Sequence, residues 1–145
     1  MLHVERSVLL NYSAEEVFRI VNDIASYPLF VPNCVHSEVH ESSESEMLAS
    51  LSFKALGMTQ VLTTRNIISP GRRIDMTFVD GPFSNLTGLW EFIALDEGAC
   101  KAVCVLSFTP KSHYARFAAK PALNKAANSA LDSFNKRITK VYGKR

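Results

Sequence analysis

Leu86-Thr87-Gly88-Leu89-Trp90-Glu91-Phe92-Ile93-Ala94-Leu95, the turn Asp96-Glu97-Gly98, and Lys101-Ala102-Val103-Cys104-Val105-Leu106-Ser107-Phe108-Thr109 decide the fold. In the first run Leu86, Gly88, Trp90 and Phe92 share one parity, so an extended chain puts all four on one face. The Asp-Glu-Gly triplet reverses the chain, and the second run returns beside the first. Upstream the same pattern repeats. Residues 72–79 place Ile74, Met76 and Phe78 on one side, and residues 58–68 are closed by Ser69-Pro70-Gly71. Residues 46–56 carry Met47, Ala49, Leu51, Phe53 and Ala55 on one face, and residues 35–42 turn at Ser42-Ser43-Glu44-Ser45. Turn residues every 8–14 positions, with no helix between them, predict an antiparallel meander.

Downstream the period changes. Leu123, Ala127, Ala130, Leu131, Phe134, Ile138 and Val141 recur at three and four, which predicts an amphipathic helix over about 122–142. Residues 113–120 extend it, with a kink expected at Pro121. Ahead of the meander, residues 2–10 read as a strand through Leu2, Val4, Val8 and Leu10, interrupted by Arg6. Ser13 and Glu16 then have capping-box spacing, and Val17, Ile20, Val21 and Ile24 recur at helical spacing. A second helical turn is expected over 27–32, limited by Pro28 and Pro32. The expected fold is therefore α+β, one domain over residues 1–145. A curved antiparallel sheet of about six to seven strands wraps around a long C-terminal helix, with one or two short helices after the first strand. Sheet and helix cannot fill all the space between them, so a pocket for an apolar ligand is expected there.

Composition narrows the function. A chain of 145 residues can bury roughly 68–70 % of its unfolded surface. With 47 % hydrophobic and 21 % charged residues it is a globular sequence and not a disordered one. No apolar run approaches the ~18 residues of a membrane span, and Met1 to Arg6 lack the basic-then-apolar pattern of a secretory signal. A cytoplasmic, bacterial-type protein is the expectation. Three cysteines, Cys34, Cys100 and Cys104, do not make a disulfide framework, and the last two share one strand face as apolar thiols. Net charge is +2 but unevenly divided. Residues 111–145 hold nine Lys or Arg against one acid, Asp132, whereas residues 1–110 hold seven against thirteen. Such asymmetry predicts an anionic partner for the basic tail, with Lys125, Lys136, Arg137, Lys140, Lys144 and Arg145 as its candidate residues.

Motifs for catalysis are missing. The sequence has no phosphate loop, dinucleotide glycine pattern, serine elbow or paired metal-binding histidines. His36 and His40 in a strand would stand about 13 Å apart. No catalytic residue, metal ligand or cofactor is expected. Two local features remain. Tyr27-Pro28-Leu29-Phe30-Val31-Pro32-Asn33-Cys34 reads either as a proline-braced corner of the core or as a rigid lip past which an apolar ligand moves. Asp80-Gly81-Pro82-Phe83 reads either as an ordinary turn or as a loop at a cavity mouth with Phe83 as its gate. A cavity would be lined by Val21, Tyr27, Phe30, Val31, Phe83, Leu86, Trp90, Phe92, Leu131 and Phe134, with Pro28, Pro32, Asp80, Gly81 and Pro82 at its mouth.

These two segments, the Leu86-x-Gly88-x-Trp90-x-Phe92 run and, more weakly, Ala130-Leu131-Asp132-Ser133-Phe134-x-Lys136-Arg137 carry a resemblance. Over nearly its whole length the chain resembles the family of ribosome association toxins and coenzyme Q-binding proteins, within the START-like (helix-grip) superfamily. The resemblance implies the same fold. It also implies binding of ubiquinone or a similar polyisoprenoid lipid in support of respiration, and loading of such a lipid would bring the basic face to an anionic membrane surface. For the toxin branch it implies binding to the large ribosomal subunit, a block to subunit association and translation initiation, and an antitoxin partner. Some START-like relatives are polyketide aromatase-cyclases, but the expected pocket holds no acid–base pair at plausible spacing for such an enzyme.

Overall fold

In this computed structural model residues 2–55, 57–110 and 113–145 are described, without the side chains of residues 55, 110 and 113–123. The meander is present. Strands β1 (Leu2–Leu10), β2 (Cys34–Ser42), β3 (Glu46–Ala55), β4 (Met58–Ser69), β5 (Arg73–Asp80), β6 (Phe83–Asp96) and β7 (Ala99–Pro110) form one seven-stranded sheet. Its order is β1-β7-β6-β5-β4-β3-β2, and every neighbouring pair is antiparallel. The N-terminal strand thus closes against the last one, Leu2 opposite Phe108 and Leu10 opposite Cys100. Helix α1 (Ala14–Asn22) follows β1, and helix α2 (His113–Tyr142) ends the fold. Thirty residues of helix extend about 45 Å, longer than a small sheet is wide. The kink expected at Pro121 lies outside the described residues.

Local chemistry explains the helix ends. The Ser13 hydroxyl accepts the Glu16 amide at 3.1 Å, and the Glu16 carboxylate accepts the Ser13 amide at 3.0 Å, closing the capping box. The second helical segment starts earlier than the spacing predicts. It is a 3₁₀ helix over Ile24–Leu29, with Pro28 inside it. Asp23 ends α1 with its amide still bonded to the Ile20 carbonyl, and its own carbonyl accepts from Ser26 three residues on, so the chain tightens without a break.

One core joins α1, the 3₁₀ helix, the end of α2 and the sheet. Val17 and Ile138 are 1 % exposed and Val21 2 %, while Cys100 is sealed completely. At its edge the chain terminus is fastened down. Arg145 Nη1 lies 2.6 Å from Glu16 Oε1, and its guanidinium carbon is 5.1 Å from the centre of the Tyr12 ring. The Arg145 hydrogen bond is the chief reason that the Glu16 carboxyl is lowered from 4.5 to about 2, with the Ser13 amide second. A group whose folded value is depressed stabilises fully above its unfolded value, and that share is lost as pH falls from about 4.5 through about 2. Arg145→Ala is therefore expected to lower stability slightly at neutral pH, as loss of a solvent-screened pair does, and to lessen the loss of stability as pH falls from about 4.5 through about 2. Urea melts at both pH values check this; equal acid sensitivity in both proteins would contradict it.

Candidate functional site

The registers lay out the sheet face that meets α2. Arg6, Cys104, Trp90, Ile74 and Ile68 stand in one row across five strands. Beside it runs a second row, Val4, Leu106, Gly88, Met76, Asn66 and Met47. Gly88 has no side chain to raise the floor; a Cβ there would run into the Met76 methyl and come within 3.0 Å of Leu106. Arg6, which breaks the apolar parity of β1, spans the gap to the helix. Its Nε donates to Asn128 Oδ1 at 3.0 Å, Nη2 to Asn124 Oδ1 at 2.9 Å, and Nη1 to the Glu5 carbonyl at 2.8 Å.

The residues expected around a cavity fall into two groups. Val21, Tyr27, Val31, Trp90, Phe92 and Phe134 are buried in one packed cluster, with Phe30 and Leu131 half-buried against it. Its rings touch edge to face: Phe134 lies 5.3 Å from Tyr27, 5.4 Å from Phe30 and 5.5 Å from Trp90. Trp90 stacks at 6.1 Å on Phe92, which meets Phe18 of α1 edge-on at 5.8 Å. The Tyr27 hydroxyl donates to the Val21 carbonyl, and burial drives its pKa above the ordinary tyrosine value. Leu86 is buried outside that cluster, as is Phe108, and Phe83 lies edge-on to Phe108 at 5.2 Å.

Met76, Cys104 and Leu106 are on the inner face and only half-buried. Cys104 is surrounded closely enough that desolvation pushes its thiol up to about 12, yet it keeps accessible surface. In the same region sit two polar residues that the parity reading of β4 passed over, Thr64 and Asn66, at 9 % and 2 % exposure.

The two motif loops have clear local causes. In the first, Tyr27 and Val31 are core, Pro28 lies inside the 3₁₀ helix, and Pro32 is exposed. Asn33 takes a left-handed φ of 65°, which asparagine tolerates, and its carbonyl accepts the Lys54 amide at 2.9 Å. Leu29 is left 74 % exposed at the tip of this segment. In the second, the Asp80 carboxylate accepts the Gly81 amide at 3.0 Å. Gly81 sits at φ 152° with its α-carbon packed so near Leu62 that a side chain would approach to 3.1 Å. Pro82 follows, and Phe83 pairs in register with Pro110 at the end of β7.

Outside the sheet, α2 presents its cations. Lys125, Lys136 and Lys140 are exposed on it, and Lys144 is exposed just past its end. Lys136 Nζ is 3.0 Å from the Asp132 carboxylate one turn earlier, and the half-buried Arg137 guanidinium lies 5.2 Å over the Phe30 ring. Arg145 is the exception in this set, since Glu16 and Tyr12 hold it at the other end of the domain's edge. A groove of about 420 Å³ runs between the Leu29–Pro32 corner and α2. One bank is Leu29, Phe30 and Pro32; the other is Ser129, Asp132, Ser133, Lys136, Arg137 and Lys140. Arg65, inside β4, and Arg73, at the start of β5, are engaged by Glu46 at 2.6 Å and by Asp75 at 2.8 Å. Among the described residues, no three His, Cys, Asp or Glu side chains come together as a metal site, and no helix is long and apolar enough to cross a membrane.

A curved antiparallel sheet gripping a long terminal helix defines the helix-grip, or START-like, class. Residues 10–135 match the family described as polyketide cyclase / dehydrase and lipid transport. A START superfamily protein from Mycobacterium smegmatis superposes with a TM-score of 0.84, at 16 % identity, over 96 % of this chain and 98 % of that one. The ZhuI aromatase/cyclase from Streptomyces sp. R1128 gives 0.87 at 18 % identity, over 96 % and 94 %. The ribosome association toxin RatA of Vibrio cholerae is 41 % identical over 99 % of each chain, and that of Pseudomonas aeruginosa 41 % over 97 % of this chain and 98 % of its own. By contrast, the mitochondrial coenzyme Q-binding protein COQ10 homolog B of Xenopus laevis is 23 % identical over 99 % of this chain and 60 % of that one. The chain belongs to the RatA family of START-like proteins.

Proposed function

We propose that this protein docks on the large ribosomal subunit through the basic face of α2 and so keeps the two subunits apart. The observation that carries the reading is the end-to-end identity of 41 % with proteins named ribosome association toxins, against 23 % with a coenzyme Q-binding relative. The chemistry agrees with it. Lys125, Lys136 and Lys140 lie on one stripe of the helix, and ribosomal RNA is the anionic surface that such a stripe meets best. The action is binding, without a chemical step, and it places the protein in the cytoplasm with an antitoxin as a further partner. Light scattering of subunit reassociation tests the idea. Added at a slight excess over large subunits, the protein should hold the signal at the level of free subunits; full reassociation would overturn the proposal.

A second reading has its own support. Half-buried Met76, Cys104 and Leu106 on the inner face suit a hollow that holds an apolar molecule, and burial of a long hydrocarbon would supply about 25 cal/mol per Å². A polyisoprenoid quinone or another lipid is the ligand class. Leu29, exposed beside Lys136 and Lys140, would let the same corner touch an anionic membrane during loading. Solvent extraction of gently purified protein followed by mass spectrometry should recover a stoichiometric lipid. An empty protein that also ignores added quinone would remove this reading.

A further inference from the structure

Asn66 is out of place on the inner face of β4. Its partners in register are Met76 on β5 and Met47 on β3, and two residues on lies Ile68. An aliphatic side chain would serve a sealed floor better, yet an amide sits here at 2 % exposure. Thr64, two residues earlier and on the same face, donates its hydroxyl to Asn66 Oδ1 at 2.9 Å. That bond accounts for one end of the amide. The other end, Nδ2 with its two hydrogens, has no acceptor among the described residues. Were the amide turned over, the oxygen would be the end left without a donor.

The surroundings suit a ligand. Met47 and Met76 flank Asn66 in register, and unbranched thioether chains reshape themselves around what they touch. Gly88, next along the row, leaves room above the sheet that the Met76 methyl occupies. Half-buried Leu106 continues the row, so the amide stands at the border of apolar surface that keeps some accessibility. A pocket with mostly apolar walls and one fixed donor selects molecules that carry a matching acceptor.

We propose that Asn66, oriented by Thr64, is the polar anchor of the internal hollow and donates to a carbonyl oxygen at one end of an otherwise apolar ligand. Thr64 acts as a positioning residue, because its hydroxyl fixes which end of the amide is presented. The proposal rests on the hydrophobic-ligand reading, and it adds to that reading the chemical class selected and the residue that selects it.

Two matched probes separate the anchor from the hollow. Decyl-1,4-benzoquinone and decylbenzene share ring and tail and differ in the two carbonyls. NMR titration of the full chain should give a Kd for the quinone at least about tenfold below that for decylbenzene. In Asn66→Leu the quinone should weaken about tenfold or more, while decylbenzene binds as well as before or better. Thr64→Val, nearly isosteric, should weaken the quinone a few-fold and leave decylbenzene unchanged; it carries the test if Asn66→Leu does not fold. Should both probes bind parent and variants equally, the anchor is wrong and the hollow survives. Should neither probe bind the parent protein, the hydrophobic-ligand reading falls and the anchor falls with it.

Discussion

Replacing Lys125, Lys136 and Lys140 with glutamate is expected to weaken association with large ribosomal subunits at least about a hundredfold, with little change in melting temperature. The three ammonium groups lie on one exposed stripe of α2, and among the described residues Lys136 has a carboxylate partner, Asp132, one turn away. Reversal replaces three attractions to phosphate by three repulsions. Long exposed side chains of this kind contribute little to the fold, since such surface pairs contribute about 0–1 kcal/mol. Arg137 is left out of the variant because its guanidinium covers Phe30, so its loss would mix packing with charge. Arg145 is left out because it belongs to the clasp with Glu16. Co-sedimentation at fixed salt reads the effect, with circular dichroism melts as the control for folding. A variant that pellets with the subunits as the parent does would place the ribosome contact somewhere else.

The largest effect on stability is expected at Phe134. Its ring is 7 % exposed and meets Tyr27, Phe30 and Trp90 within 5.5 Å, so it pins α2 to both the 3₁₀ corner and the sheet. Phe134→Ala removes a buried ring and leaves a cavity that three aromatic neighbours cannot close, which costs about 3–5 kcal/mol. Set against a total of about 5–15 kcal/mol, that is a large share, and Tm should drop by roughly 10 °C or more. Leu131→Ala, one turn earlier and only half-buried, should cost distinctly less. Denaturant melts of the two variants compare them. Equal, small losses would mean that the aromatic block is not what fixes the helix.

These two variants touch the features that a reader of the sequence sees first, and they show how far such reading goes. Period-two runs placed β1 and β3 to within a residue of their observed ends, because side-chain alternation follows from the pleat itself. Ser13 and Glu16 marked the start of α1, because a cap is a local contact between neighbours in the chain. The ten residues assigned to a cavity wall were legible as apolar, but not as two groups. Whether Trp90 and Phe134 enclose space or fill it depends on how α2 sits over the sheet, and no local pattern encodes that. Arg6 looked like a flaw in β1. Its reason lies 118 and 122 residues away, in Asn124 and Asn128. Arg145 counted as one more cation of a basic tail, and Glu16, 129 residues distant, shows it to be a fastening. Thr64 and Asn66 gave no signal, because a polar residue inside a strand reads as an outward one until its neighbours in register are known.

Affinity for isolated large subunits, measured against salt, tests the ribosome reading most directly. A dock made by the cations of α2 releases counterions, so the logarithm of the binding constant should fall linearly with the logarithm of salt concentration. With four or five phosphate contacts the slope should be roughly −3 to −4. Binding that is absent at the lowest salt, or that stays level across the titration, would contradict the account.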